Sequence, residues 1–483
     1  MRSSLQGDPV SDGLVPAELQ AQLERHGQQH LLRWWGELSA VARQNLLDEL
    51  RRIDFDGLQH LLQQTETFRE RAERIARAKS PSRLIRQSSQ HSDASAWLAA
   101  RQSGLAALRG GAVAVVLVAG GQGTRLGFPG PKGLFPVGPL SGKSLFQLFA
   151  EQLRRRAQLA GHDIPLYLMT SAATHADTVA AFSSSANFGL PAGTVHFFQQ
   201  GDMPAVDVAT GKILLADKGN VAFSPNGHGG VLQALQQSGA LDEMRQQGVE
   251  HLFYMQVDNP LVTLCDPAFL GFHLVAEAEM TTKVVAKTGP EEKMGVVVEI
   301  DGQQAVIEYS ELPDELARQT AGDGTLRLWA GNTAVHLFNR SFLERVLAER
   351  HSLPWHRAHK PVPFVNKQGA LVEPGEENAW KFEQFVFDLL PLARQPLVFE
   401  SCRDEEFYPL KNRSGEFSPE EVRKHQSRRH AGWLRRAGWT VPADAVVEIS
   451  PLIAVDEFDL PALPPRTLSA GEALYLEDGR PAP

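Results

Sequence analysis

The spacing of apolar residues divides the chain into stretches of different texture. From residue 15 to about 110, Leu19, Leu23, Leu31, Leu32, Trp35 and Leu38 recur at helical spacing among Gln, Glu and Arg, and Leu46, Leu47, Leu50, Leu61 and Leu62 continue the pattern. That period, with few β-branched residues, predicts a helical lead-in. At Gly110-Gly111 the texture changes. Val113 to Val118 is an unbroken apolar run rich in valine, of the kind that forms strands buried on both faces. A glycine-rich loop follows, then a helix over Ser144 to Leu159, a strand over Pro165 to Thr170, a helix over His175 to Phe182 and a strand over Val195 to Phe198. His251 to Val257 makes a further buried strand. This alternation predicts an α/β, doubly wound sheet with crossover helices.

Beyond about Ala393 the alternation fades. A basic amphipathic helix is expected over Pro419 to Ala437, with the Arg423 to Arg436 face turned toward the central domain, and then short strands between prolines. The expected partition is therefore a helical region over 1–110, an α/β domain over 111–392 and a small β-containing domain over 393–483. A length of 483 residues suits two or three domains.

Composition narrows the class. With 42% hydrophobic and 22% charged residues the chain has the apolar content for a sizeable core. A formal net charge of −9 argues against a nucleic-acid partner. Two cysteines far apart, Cys265 and Cys402, offer neither a disulfide framework nor a paired zinc site. The start, Met1 to Asp8, has no apolar core of a signal peptide, and the longest apolar run, Ala112 to Ala119, is too short for a membrane span. A soluble, cytoplasmic protein with no membrane partner is expected; the oligomeric state is left open.

The segment Val118 to Lys132 reads Val-Ala-Gly-Gly-Gln-Gly-Thr-Arg-Leu-Gly-Phe-Pro-Gly-Pro-Lys between a strand and a helix. Glycines permit positive φ and let backbone N–H groups come close to phosphate oxygens, while Arg125 and Lys132 supply cationic charge. The frame is not that of a dinucleotide fingerprint, since Gly121-x-Gly123 lacks the third glycine. Gly138 to Ser144 is one residue short of a Walker loop. Asp258, at the carboxyl end of the 251–257 strand, stands where open α/β sheets place ligands, and a lone carboxylate fits magnesium bound mainly through phosphates. His351, His356 and His359 lack the spacing of a helical metal pair. Glu291-Glu292 and Asp314-Glu315 read as solvated charge.

The loop resembles the L-x-x-G-x-G-T-x-M-x4-P-K element of eukaryotic-type UDP-sugar pyrophosphorylases, with Val118 and Leu126 as apolar replacements. The resemblance continues in order through Phe197-Phe198-Gln199-Gln200-Gly201, Ser224-Pro225-Asn226-Gly227-His228-Gly229-Gly230, Val257-Asp258-Asn259, Gly295-Val296-Val297, Val306 to Glu311, Gly331-Asn332-Thr333, Lys381 to Asp388 and Glu405 to Asn412. It implies attack by a sugar 1-phosphate on the α-phosphorus of UTP, with Mg2+ and loss of diphosphate. By that resemblance Gly120, Gly121, Gly123, Thr124, Gln200 and Gly227 would hold the nucleotide, and Arg125 and Lys132 its outer phosphates. Asp258 would hold the metal, Lys411 the attacking phosphate, and His228, Gly295, Glu308 and Asn332 the sugar.

Within the family the motifs resemble the UDP-N-acetylhexosamine branch, which implies N-acetylglucosamine 1-phosphate as acceptor. His228 stands where that branch usually carries Asn, and Gly-His-Gly is similar to the UDP-glucose and broad-range UDP-sugar branches. A non-catalytic nucleotide-sugar sensor is the alternative of another class. The four charges Arg125, Lys132, Asp258 and Lys411 speak against it.

Overall fold

The structure is a computed structural model that describes residues 14–63, 68–349, 351, 353–477 and 480–481. The reading of Met1 to Asp8 lies outside these residues. Two compact units are assembled from interleaved segments: the smaller from 1–70, 201–230 and 354–385, the larger from 71–200, 231–353 and 386–483. The units thus do not follow the linear partition at 110 and 392, because segments distant in sequence close each core.

The larger unit is built on a ten-stranded sheet. In chain order its strands are β1 (Leu84–Ile85), β2 (Val113–Val118), β3 (Leu166–Thr170), β4 (Val195–Gln199), β5 (His251–Gln256), β6 (Met280–Ala286), β7 (Val296–Ile300), β8 (Gln303–Ile307), β9 (Ala330–Asn339) and β10 (Leu397–Glu400). In space they run β1-β10-β6-β9-β5-β2-β3-β4, with β7 joined to β9 and β8 to β7. Strands β5, β2, β3 and β4 are mutually parallel, as the alternating pattern predicts. The long β9 runs antiparallel to both neighbours, so the other half of the sheet is mixed. Among the strands not singled out in the sequence, β1 interrupts the helical lead-in and β10 carries the sheet past residue 393.

Helices that pack in this unit include α1 (Ala94–Arg109), α2 (Leu145–Ala160), α3 (His175–Ser184), α4 (Pro267–Val275) and α5 (Pro419–Arg436). Local chemistry sets their ends. Ser144 caps α2 by accepting from Gln147 N–H, and Gly161 closes it at φ +69°, a conformation that suits glycine. Phe146, Phe149 and Leu153 of α2 are buried against Val115 and Leu117 of β2 and Leu166 and Leu168 of β3. Each such side chain contributes roughly 1.5–3 kcal/mol of transfer free energy. Helices α1 and α4 cross closely through two glycines. A Cβ at Gly104 would stand 2.0 Å from the Pro267 carbonyl oxygen, and one at Gly271 only 1.7 Å from that of Ala100.

The basic helix α5 starts at the Ser418 cap with Pro419 in its first turn. Its cationic face points inward in part, since Arg429 donates to the Leu261 carbonyl at 2.7 Å and to Thr263 Oγ1 at 2.9 Å. Trp433 and Leu434 share a core with Val447, Ile449, Leu474 and Leu476 of the terminal strands. From the strand Val446–Ile449, the buried Glu448 carboxylate accepts from Leu140 N–H (2.6 Å), Ser141 N–H (2.7 Å) and Ser141 Oγ (2.6 Å). The near-Walker segment thus cradles an anion of the protein itself.

In the smaller unit, helices Ala17–Arg25, Ala40–Arg51 and Phe55–Gln63 pack Leu19, Leu23, Leu46, Leu50 and Phe55 around Val206 and Phe382. Val206 and Phe382 belong to a three-stranded antiparallel sheet of Val206–Asp207, His356–Lys360 and Ala379–Glu383. Among the described residues no helix is long and apolar enough to cross a membrane.

Candidate active site

The order of strands reverses between β2 and β5, because β3 and β4 lie to one side of β2 and β5 to the other. At such a switch point the loops leaving the two strands part and open a crevice at their carboxyl ends. Val118 and Gln256 are register partners, and Val257 N–H donates to the Val118 carbonyl at 3.0 Å. The glycine loop and Asp258 therefore leave the sheet side by side.

The loop is folded on itself and is not a slack connection. Lys132 N–H donates to Gly121 O (3.0 Å), Gly123 N–H to Gly130 O (2.9 Å) and Phe128 N–H to Gly123 O (3.1 Å). Two short 3-10 turns, Thr124–Leu126 and Lys132–Leu134, carry Arg125 and Lys132. The glycines have distinct reasons. A Cβ at Gly123 would overlap Phe128 at 2.8 Å, and one at Gly120 would come within 2.7 Å of Gln200 Oε1. At Gly121 nothing of the protein lies within 4 Å, so that face of the loop is open. Ser171 Oγ donates to the Gly120 carbonyl at 2.8 Å and fixes the approach to β3. Gln200, just past β4, is held by its own N–H to Thr170 O at 2.9 Å.

Charge converges here. Lys132 Nζ lies 4.0 Å from Asp258 Oδ2, with both side chains largely covered. Burial pushes the Lys132 ammonium below its ordinary pKa; Asp258 works against that, while the nearby charges of Lys411 and Arg125 reinforce it. Three cations thus share a neighbourhood with one carboxylate. Lys411 comes from a remote segment that is clipped to the same strand end: Leu410 N–H donates to the Asp258 carbonyl at 2.7 Å. Asn259 completes the clip, giving Nδ2–H to Glu406 O (2.8 Å) and accepting Tyr408 N–H on Oδ1 (3.2 Å).

A third group assembles on β7, β8 and β9. Asn332 N–H donates to Gly295 O at 2.8 Å, and a Cβ at Gly295 would meet the Glu308 carboxylate at 2.9 Å. Gly295, Glu308 and Asn332 are therefore neighbours. Gly227 and His228 belong to the smaller unit. There Gly227, at φ +84°, lies so close to the Gln384 backbone that a Cβ would meet its carbonyl oxygen at 2.4 Å. The His228 ring stacks on Phe385 at 5.2 Å, and Phe385 meets His356 in a tilted contact at 4.4 Å.

Among the described residues no three His, Cys, Asp or Glu side chains gather as a metal cage. Magnesium needs only one or two carboxylates when phosphates and water complete its shell, and Asp258 meets that demand. Sequence reading missed the clamp role of Asn259 and overlooked Arg413, whose guanidinium packs over Gly127 with Cζ 3.6 Å from the position of a Cβ there. Neither had a local signal beyond its residue type.

Residues 64–421 match the family model described as UTP–glucose-1-phosphate uridylyltransferase. A human UDP-N-acetylhexosamine pyrophosphorylase-like protein 1 is 39% identical over 477 residues, which span 90% of this chain and 92% of that one. A UDP-N-acetylglucosamine pyrophosphorylase of Saccharomyces cerevisiae is 38% identical over 358 residues, 72% of this chain and 75% of its own. The crystal structure of the uridine diphosphate N-acetylglucosamine pyrophosphorylase from Trypanosoma brucei, in complex with an inhibitor, is similar with a TM-score of 0.77 at 27% identity, over 93% of this chain and 94% of that one.

Proposed function

Because the chain belongs to the UTP–glucose-1-phosphate uridylyltransferase family, we propose that it joins UTP to N-acetyl-α-D-glucosamine 1-phosphate and releases diphosphate. The observation that carries this reading is the gathering of Lys132, Arg125 and Lys411 around Asp258 beside an open glycine loop. A triphosphate and a sugar phosphate repel one another, and their reaction needs that repulsion neutralised and the partners aligned.

An oxygen of the sugar phosphate attacks the α-phosphorus. The new phosphorus–oxygen bond forms as the bond to the α,β-bridging oxygen breaks, and the electron pair leaves with diphosphate. No protein nucleophile is required. Gly120, Gly121, Gly123 and Thr124 offer the backbone of the loop to the phosphates, and Arg125 and Lys132 hold the β- and γ-phosphates. Gln200 turns its amide to the uracil edge, where a carbonyl and an NH2 match N–H and C=O. Asp258 would hold Mg2+, which supplies further neutralisation of phosphate charge when bound. Lys411 draws in the attacking phosphate, and Gly295, Glu308 and Asn332 face the sugar hydroxyls. A reducing, cytoplasmic setting suits the two free cysteines.

Glucose 1-phosphate is the second acceptor to consider, because of the histidine at position 228 between two glycines. Diphosphate release is the test, with UTP, magnesium and each sugar 1-phosphate in turn. The N-acetylglucosamine ester should give the highest kcat/KM. A higher value for glucose 1-phosphate would reassign the acceptor, and absence of release with every sugar 1-phosphate would leave the sensor reading.

A further inference from the structure

Lys283 is 0% exposed, and the reaction as described makes no use of it. It sits on β6 at a break in the ladder to β9. Lys283 pairs with Val335 but Val284 with Asn332, so Thr333 and Ala334 bulge out of β9. Bulges re-aim side chains next to functional sites. Here Ala334 takes φ +57° and gives its N–H to Asn332 Oδ1 at 3.0 Å, which fixes the Asn332 side chain. Thr333 Oγ1 donates to the Lys283 carbonyl at 2.7 Å and ties the bulge to β6.

The Lys283 ammonium points the other way. It reaches Glu406 Oε1 at 3.1 Å and Asp266 Oδ2 at 3.3 Å, beside the rings of Phe269 and Phe399. The second Glu406 oxygen accepts from Thr263 N–H at 3.2 Å. Glu406 begins the segment that ends in Lys411, and Asn259 and Leu410 bind that segment to the end of β5. A buried ion pair adds little net stability, since desolvation offsets most of its attraction, but its directed hydrogen bonds fix geometry.

We propose that Lys283 is a positioning residue that sets Asn332 and Lys411, two of the groups facing the sugar 1-phosphate, at a fixed separation. The inference rests on the function proposed above. The nucleotide side hangs instead from β2, β3 and β4, through Gly120, Ser171 and Gln200. Damage to the Lys283 network should therefore fall on one substrate.

The decisive variant is Glu406→Gln, which keeps the shape and one acceptor oxygen but removes the charge and turns the other acceptor into an NH2 donor. Initial rates are measured against N-acetylglucosamine 1-phosphate and against UTP, with thermal unfolding in parallel. KM for the sugar phosphate should rise about tenfold, as loss of one charge-assisted hydrogen bond implies, while KM for UTP stays within about twofold. Lys283→Met should show the same split if it folds; if it does not, Glu406→Gln decides. A fall in kcat with both KM values unchanged, or equal rises in both, would mean a structural role only and overturn the proposal. A wild-type protein that turns over no sugar 1-phosphate would overturn the reading on which it rests.

Discussion

Replacing Lys132 by methionine keeps the length of the side chain and removes its charge. Lys132 lies 4.0 Å from Asp258, with only 17% of its side chain exposed. At that separation two unit charges in an environment of effective dielectric about 20 interact by about 4 kcal/mol. A phosphate oxygen held at a comparable distance loses an interaction of that order in the variant. Partial solvent access trims it to roughly 3 kcal/mol, or about two powers of ten in rate. Negative charge grows on the diphosphate as it leaves, so the loss falls on kcat and spares the KM of the sugar phosphate. Steady-state diphosphate release with both substrates varied is the assay. A Lys132→Met enzyme with kcat within threefold of wild type would refute the reasoning, as would a loss confined to sugar-phosphate KM.

The same residue gives kcat/KM a basic limb. Burial, with Lys411 and Arg125, holds the ammonium below the ordinary lysine pKa of 10.5 in the free protein, and Asp258 offsets only part of this. Its cationic form is lost as pH rises through that lowered value, so kcat/KM should fall before pH 10.5 and the limb should vanish in Lys132→Met; an unchanged limb would assign it elsewhere. Asp258→Asn should flatten the dependence of rate on magnesium concentration, and a titration like that of the wild type would remove Asp258 from metal binding. Gly271→Ala forces a Cβ to within 1.7 Å of the Ala100 backbone oxygen, so α1 and α4 must part. The cost should be about 1–3 kcal/mol, read as a lower midpoint of thermal or denaturant unfolding, and no change would contradict the close crossing.

The parts of the fold legible in the sequence are those whose signal is local. The valine-rich run of β2, the Ser144 cap and Gly161 stop of α2, and the Ser418-Pro419 start of α5 all state their structure within a few residues. Strand β9, Ala-Gly-Asn-Thr-Ala-Val-His-Leu-Phe-Asn, carries Gly, Asn and polar residues that weaken any local strand signal; it is a strand because β5 and β6 flank it. The smaller unit is invisible to a linear reading, since Val206 meets the amino-terminal leucines only after the chain has passed once through the other unit, and Phe382 after it has passed twice.

The site divides the same way. The glycine loop and Asp258 announce themselves at strand ends, and the structure sets Lys132, Asp258 and Lys411 together. The groups that hold them there act across long separations. Asn259 clamps a segment 147 residues away, and Lys283 pairs with a carboxylate 123 residues away. Gly138 to Ser144 shows the converse, a phosphate-like loop whose anion, Glu448, stands 307 residues from Ser141.

The function proposed above places transfer of the uridylyl group of UTP to a sugar phosphate at the crevice between β2 and β5. The most direct measurement follows UTP labelled at the α-phosphorus in the presence of magnesium and N-acetylglucosamine 1-phosphate. Label should appear in UDP-N-acetylglucosamine with one diphosphate released per sugar nucleotide formed, and both products should form about a hundredfold more slowly in Lys132→Met. Label that stays in UTP, or sugar nucleotide formed as fast by Lys132→Met as by the wild type, would contradict it.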